Sequence, residues 1–242
     1  MAYALTTAMI FAAGRGERMR PLTDTRPKPL LEVGGKPLIV WQIERLAQSG
    51  ITTIVVNHAW LGAQIEQTLG DGERYGVRLV YSAEREALET AGGIAQARAL
   101  LESNGAPCIF AAVSGDVFCE YDYARLHEPA AHLAASAEPR MHLVMVPNPP
   151  FHPQGDFALD AAGGLALDGT RRYTFGNIGL YDTRMFESLA PGERRALTPY
   201  YRDTIRAGLA SGELYEGRWE NVGTPAQLHA LDTALREARS SR

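Results

Sequence analysis

The chain reads as an α/β fold of three layers, a mixed but mostly parallel sheet between helices. Three observations predict it. Strand-like and helix-like segments alternate through residue 135, the order that parallel strands joined by helical crossovers require. The first strand segment is an apolar run, as a strand covered on both faces would be. Beyond Met141 the pattern changes to short strand-like pieces separated by Gly and Asp turns, so the second half supplies a β-rich lobe.

Residues 8–13 form the first strand, with residues 1–7 as a short extension ahead of it. Pro37 stands where a helix begins and Gly50 where it ends. Between them Ile39, Ile43, Leu46 and Ala47 make one apolar face. The β-branched run ITTIVVN, residues 51–57, is a second strand. Leu61, Ile65 and Leu69 fit a short helix stopped by Gly70-Asp71-Gly72. A third strand over 77–81, a helix over 94–101 and a fourth strand over 108–113 lead to Ser114-Gly115-Asp116. Residues 142–146 are strand-like, and the proline run from Pro147 to Pro153 then breaks regular structure. Strand pieces are expected around Phe157, Leu165, Tyr173 and Ile178, then helices over 198–211 and 225–238 flanking a strand at 213–216. No repeat or low-complexity linker divides residues 1–242, so a single domain is expected.

Bulk properties exclude several classes. A net charge of −4 gives no global basic field for nucleic acid or an anionic membrane. No apolar run approaches the roughly 18 residues of a membrane span. Cys108, read as core filler, and Cys119, read as an incidental thiol, are too few for a disulfide framework and fit a reducing cytoplasm.

The chemistry concentrates in residues 12–30. Gly14 and Gly16 let backbone N–H groups approach an anion. Five cations (Arg15, Arg18, Arg20, Arg26 and Lys28) stand against Glu17 and Asp24, a local positive patch with room for a polyphosphate. Lys28 is one of only two lysines beside 22 arginines, which hints that a compact ammonium is wanted between its two prolines. A dinucleotide fingerprint fails because Met19 stands where the third glycine belongs, and no Walker A Gly-Lys-Ser/Thr is present. An arginine-rich solvated loop is the competing reading. Asp116 falls at the carboxyl end of the fourth strand, where open α/β sheets bind ligands. A carboxylate beside a triphosphate needs a cation between them, so Asp116 suits a Mg²⁺ ligand; the alternative is a turn cap.

The string G-x-G-x-R-M-x-P-L-T from Gly14 to Thr23, followed by Pro27-Lys28-Pro29, resembles the signature of the nucleoside-diphospho-sugar pyrophosphorylases, which join an NTP to a sugar 1-phosphate. Asn57-His58-Ala59-Trp60-Leu61, Leu88-Glu89-Thr90-Ala91-Gly92-Gly93-Ile94, Gly115-Asp116-Val117 and Trp219-Glu220-Asn221-Val222-Gly223-Thr224-Pro225 are similar to the branch acting on N-acetylmuramate 1-phosphate in cell-wall recycling. The resemblance implies a Rossmann-like nucleotide-diphospho-sugar transferase fold, with about residues 1–140 as a nucleotide-binding half and about 141–242 as a sugar-binding half. It implies Mg²⁺-dependent transfer of UMP from UTP to N-acetylmuramate α-1-phosphate in the cytoplasm. The enzyme would be stand-alone and small enough to work as a monomer.

By the same resemblance, Ala13, Gly14, Gly16 and Glu17 line the nucleotide, Arg18 holds the β/γ-phosphates and Lys28 the α-phosphate. Gly92-Gly93 opening a helix fits close approach of a flat base to the backbone, with Glu89 orienting that loop; the alternative is a helix start packed on the sheet. The Ser114 hydroxyl can bond ribose or phosphate. Mg²⁺ would be held by Asp116 and Asn221. Asp156, Gly176, Asn177 and Arg202 are the sugar candidates. Two residues depart from the pattern: Asn221 stands where an Asp is common, and Ser114 where the branch typically has Asn. A Glu-Lys-Pro element after residue 150 is missing, which counts against thymidylyl transfer. His58, Trp60 and Trp219 are expected to be structural. The rivals are transfer to a mannose, heptose or glucose 1-phosphate, a non-catalytic nucleotide-sugar sensor, and a dinucleotide oxidoreductase, the last disfavoured by Met19.

Overall fold

The computed structural model describes residues 3–102 and 105–240. Strand β1 (Thr7–Phe11) lies inside the sheet and is followed by three single 3-10 turns, Glu17–Met19, Leu22–Asp24 and Lys28–Leu30. A small hairpin, β2 (Glu32–Val33) and β3 (Lys36–Pro37), leads into α1 (Leu38–Gln48). Then come β4 (Thr53–His58), α2 (Gly62–Leu69), β5 (Arg78–Ala83), α3 (Glu89–Leu101), β6 (Ile109–Ser114), β7 (Val117–Cys119) and α4 (His127–Ala134). The second half contains β8 (Met141–Val146), β9 (Phe157–Leu159), β10 (Leu165–Ala166) and β11 (Arg172–Asp182). It closes with α5 (Thr198–Arg206), β12 (Ala210–Leu214), β13 (Trp219–Asn221) and α6 (Pro225–Ser240).

Across the main sheet the order is β5-β4-β1-β6-β11-β8-β12, with β9 and β10 added along the far part of β11. All neighbours from β5 to β6 are parallel, as are β8 and β12; β11 runs against both β6 and β8. The sheet is therefore mixed and mostly parallel.

Side chains alternate across the sheet, and this builds the three layers. Ala8 and Ile10 of β1 point with Ile54 and Val56 into one core, covered by Ile39, Ile43 and Leu46 of α1, Ile65 and Leu69 of α2, and Ala130 and Leu133 of α4. Met9 and Val55 point the other way, under Ile94, Ala97 and Leu101 of α3 and Ile205 of α5. A smaller core joins Leu231 and Leu235 of α6 to Met19, Val33, Leu38 and Val222. It fastens the last helix beneath the glycine-rich segment.

Several local expectations change. The extension is docked where it is described: Leu5 is 1% exposed, and the Tyr3 hydroxyl donates to the Ile109 carbonyl at 2.7 Å. Helix α3 starts at Glu89 rather than near residue 94. The two pieces around Tyr173 and Ile178 are one strand, β11, broken in appearance by a register shift between Phe175 and Gly179. There Asn177 takes φ +56°, a bulge conformation tolerated by Asn. The helix expected over 198–211 stops at Arg206, with Gly208 at φ +69° turning the chain. Its last residues become β12, which pairs with β8 from Ala210 opposite Met141. The cysteines exchange roles: Cys119 is fully buried, while Cys108 is half-buried, its thiol pushed up to about 12 by burial. No described helix is long and apolar enough to cross a membrane.

Candidate active site

In this sheet β1 has β4 on one side and β6 on the other, so the connections leave in opposite directions and open a crevice at the carboxyl ends of the strands. A cavity of about 460 Å³ fills that crevice. Residues 11–14 and 16–19 form one wall; Lys28, Pro29, Ser114 and Asp116 the floor; Asn57, Ala87, Glu89 and Thr90 the far wall; and Gly223 closes the rim. Ala13, Gly14, Gly16, Glu17, Arg18, Lys28, Ser114 and Asp116 are thus brought together from three separate segments.

The loop after β1 is held by its own chain. Gly16 takes φ +69°, and a side chain there would meet Thr23 Cγ2 at 3.0 Å and Lys28 Cβ at 3.2 Å. The Thr23 hydroxyl donates to the Gly16 carbonyl, and the Trp60 indole donates to the Thr23 carbonyl, both at 2.9 Å. Arg15 lies flat over Trp60, 3.5 Å from the ring centroid, and pairs with Glu17 and Asp24. Arg20 pairs with Asp24, and Arg26 with Glu32. Three of the five cations are therefore spent on shaping the loop.

Arg18 and Lys28 remain, and these two line the cavity. Among the described residues, Arg18 alone of the five carries no hydrogen bond or ion pair. The side chain of Lys28 is only 9% exposed, and its Nζ lies 2.5 Å from Asp116 Oδ2. The other Asp116 oxygen accepts from the Ser114 hydroxyl at 2.6 Å. The floor is therefore a neutral pair that can open toward an anion on the lysine side and a cation on the carboxylate side.

The floor offers oxygen atoms that could hold a divalent cation. No group of three or more His, Cys, Asp or Glu that could hold a metal ion occurs among the described residues. Mg²⁺ characteristically takes one or two protein oxygens and completes its octahedron with substrate phosphates and water. Asp116 supplies one oxygen. Asn221 Oδ1 is buried with no hydrogen-bond partner among the described residues, so its lone pairs are free. The Asp116 turn is bound to the Asn221 strand: Asn221 pairs with Val117, and the Val222 N–H donates to the Asp116 carbonyl at 3.1 Å. Asn221 itself lines two adjoining cavities rather than the one that Asp116 lines.

Those adjoining cavities belong to the second half. One, about 280 Å³, is lined by Phe151, His152, Asp156, Thr174, Phe175, Asn177, Tyr201, Trp219 and Asn221 among others. The other, about 400 Å³, lies between the proline loop and β13, with Phe151, Trp219 and Asn221 common to both. Asp156 accepts from the Phe175 N–H at 2.8 Å and meets His152 Nε2 at 3.1 Å. Gly176 touches this region through its carbonyl, which accepts from the Trp219 indole at 2.8 Å. Arg202 does not join them: it is exposed on the outer side of α5 and lines none of the three cavities.

Gly93 also stands apart. It is buried inside α3, where a Cβ would strike Asn57 Nδ2 at 2.7 Å and Glu84 Oε1 at 2.9 Å, so it serves close packing and does not line the nucleotide-sized cavity. Glu89 pairs with Arg194 and takes φ +60°, while the 87–90 segment is braced by Glu84, whose carboxylate accepts from the Leu88 N–H at 2.8 Å. Burial pushes the Glu84 carboxyl above its ordinary value, against the hydrogen bonds that favour the ion. His58 is packed against Gly62 and bonded to Glu66, a structural histidine.

Comparison with known proteins follows the same lines. Residues 7–152 match the model of the nucleotidyl transferase family. The chain is 49% identical, over 91% of its length and 94% of the relative's, to an N-acetylmuramate alpha-1-phosphate uridylyltransferase of Neisseria meningitidis. This chain belongs to the nucleotidyl transferase family. A second transferase of the same description, from Caulobacter vibrioides, is 34% identical over 98% of this chain and the whole of that one. The transferase fold is seen again in a Bacillus anthracis protein assigned as a glucose-1-phosphate thymidylyltransferase and solved with a sucrose. It superposes with a TM-score of 0.81 at 20% identity, covering 97% of this chain and 96% of that one.

Proposed function

We propose that this transferase moves UMP from UTP to the 1-phosphate of N-acetylmuramate, with Mg²⁺, releasing pyrophosphate and UDP-N-acetylmuramate. The observation that carries the chemistry is the pairing of Arg18 and Lys28 in one cavity with the Asp116 carboxylate. The likeness to the Neisseria meningitidis uridylyltransferase supports the choice of sugar and base.

In this reading a phosphate oxygen of the sugar 1-phosphate attacks the α-phosphorus of UTP, and the bond from that phosphorus to the bridging oxygen of pyrophosphate breaks. Both reactants are anions, so the protein's work is neutralisation and alignment. Backbone N–H groups of residues 13–16 face the phosphates. The unpaired Arg18 guanidinium meets the departing β/γ-phosphates in bidentate fashion. Lys28 exchanges Asp116 for the α-phosphate, where charge redistributes between entering and leaving oxygens. Asp116 and Asn221 would hold Mg²⁺, which when bound supplies charge to offset the crowded phosphate oxygens. No group has to titrate. Residues 1–140 thus serve the nucleotide, and the cavities around Asp156, Gly176 and Asn177 serve the sugar. A protein of this kind works in the cytoplasm, where UTP is found, and as a monomer.

The test is pyrophosphate release from purified protein with Mg²⁺, across four NTPs and a panel of sugar 1-phosphates that includes N-acetylmuramate. Release confined to UTP and the muramyl phosphate is expected. Release with another pair, such as GTP and mannose 1-phosphate, would keep the chemistry and replace the substrate. Silence across the panel with UTP still bound would make the protein a nucleotide-sugar sensor.

A further inference from the structure

The geometry points to Asn57 and Glu84 as a pair of positioning residues that set the spacing between the two walls of the nucleotide cavity. Asn57 is the penultimate residue of β4 and is 3% exposed. Its Oδ1 accepts from the Ala12 N–H at 3.0 Å, at the root of the glycine-rich loop. Its Nδ2 donates to Glu84 Oε1 at 2.7 Å. Glu84, 7% exposed, accepts from the Leu88 N–H through Oε2 at 2.8 Å, within the 87–90 wall. Three hydrogen bonds in series thus run from the phosphate wall to the opposite wall through two buried side chains. Gly93 lies against the middle bond, too close for any Cβ, so α3 seats directly on the pair.

This relay has a direction. Asn57 offers an acceptor on one side and a donor on the other, and Glu84 offers acceptors on both. Glu84→Gln keeps one acceptor and presents a donor where an acceptor was, so one of its two bonds is lost. Asn57→Asp keeps the bond to Ala12 but sets two acceptors face to face. The exchange Asn57→Asp with Glu84→Gln restores all three bonds with the middle one reversed: the amide at position 84 then donates to the carboxylate at position 57. Buried networks of this sort are separated from their parts only by such a cycle.

The inference rests on the cavity being the nucleotide site, and the experiment keeps the two questions apart. UTP and the other three NTPs are titrated by calorimetry against the wild type, both single variants and the exchange, with melting temperature as control and sugar-phosphate KM as a second readout. Each single variant is expected to weaken nucleotide binding about tenfold, the loss of one buried charged hydrogen bond, with sugar-phosphate KM unchanged. The exchange is expected to bind within about threefold of wild type. That recovery is telling because, relative to Glu84→Gln alone, the exchange adds a negative charge beside an anion, which by charge alone weakens binding. A further loss in the exchange, strict additivity, or equal losses in both substrates' KM would overturn the relay. Wild type that binds none of the four NTPs would instead overturn the reading of the cavity.

Discussion

The two halves of this molecule build their cavities by opposite means. In the first, the cavity lies at the carboxyl ends of parallel strands, and its character is charge: one free arginine, one buried lysine and a carboxylate that the lysine covers. In the second, the cavities lie along a bulged strand and a proline loop, and their character is shape: Phe151, Phe175, Tyr201 and Trp219 with a few fixed polar atoms. Preformed charge suits a group common to all nucleotides. Aromatic surface with sparse hydrogen bonding suits a sugar whose substituents must be told apart. The contrast teaches that rate should be sensitive to single residues in the first half, and selectivity to several residues together in the second.

Lys28→Ala is the hardest blow to that contrast and the largest expected effect. Loss of a preorganised charge at the reacting phosphate should lower kcat by roughly a hundred- to a thousandfold, with the far-ultraviolet circular dichroism spectrum intact. Near-normal turnover would remove charge as the organising property of the first half. Next comes Arg18→Ala, expected to cost about 10- to 100-fold in kcat/KM for UTP, the size of a charge-assisted contact. A rise in sugar-phosphate KM alone would place the guanidinium on the other substrate.

Asn221→Ala sharpens the boundary between the halves, because it tests whether a second-half residue takes part in the charge work. The Mg²⁺ midpoint is expected to rise about tenfold, measured in a titration at saturating substrates; an unchanged midpoint would return Asn221 to the sugar side. Smallest is Arg202→Ala. Exposed and off all three cavities, it should change kcat/KM for either substrate by less than about twofold, and a larger loss in steady-state assays would mean that α5 reaches further than its position indicates.

Much of the first half was legible in sequence because its parts are contiguous and chemically emphatic. Gly14, Gly16, Arg18 and Lys28 fall within fifteen residues, and apolar strands announce the sheet. What escaped notice was which cations are free, since stacking on Trp60 and pairing with Asp24 are decided by the folded loop. The brace at Glu84 escaped too, although a polar Asn57 ending an apolar strand was a usable signal. Gly93 leaves both readings open in sequence, because a glycine needed for packing and one needed for a ligand look alike there. The second half was less legible. β12 has no β-branched residue and is held as a strand by pairing with β8. The bulge at Asn177 splits one strand into two apparent ones. Arg202 was a candidate by type, and only the helix phase removes it.

The last strand and the rim glycine have a consequence in time. The turn that carries Asp116 is bound by the Val222 amide, and Gly223 stands against Arg18, where a Cβ would lie 3.3 Å from Nη2. Chains emerge from the ribosome amino-terminus first. The glycine-rich loop is therefore made early, yet its cavity stays open on one side until residues 219–223 arrive. The cavity's rim is complete only when late-synthesised residues close over early ones.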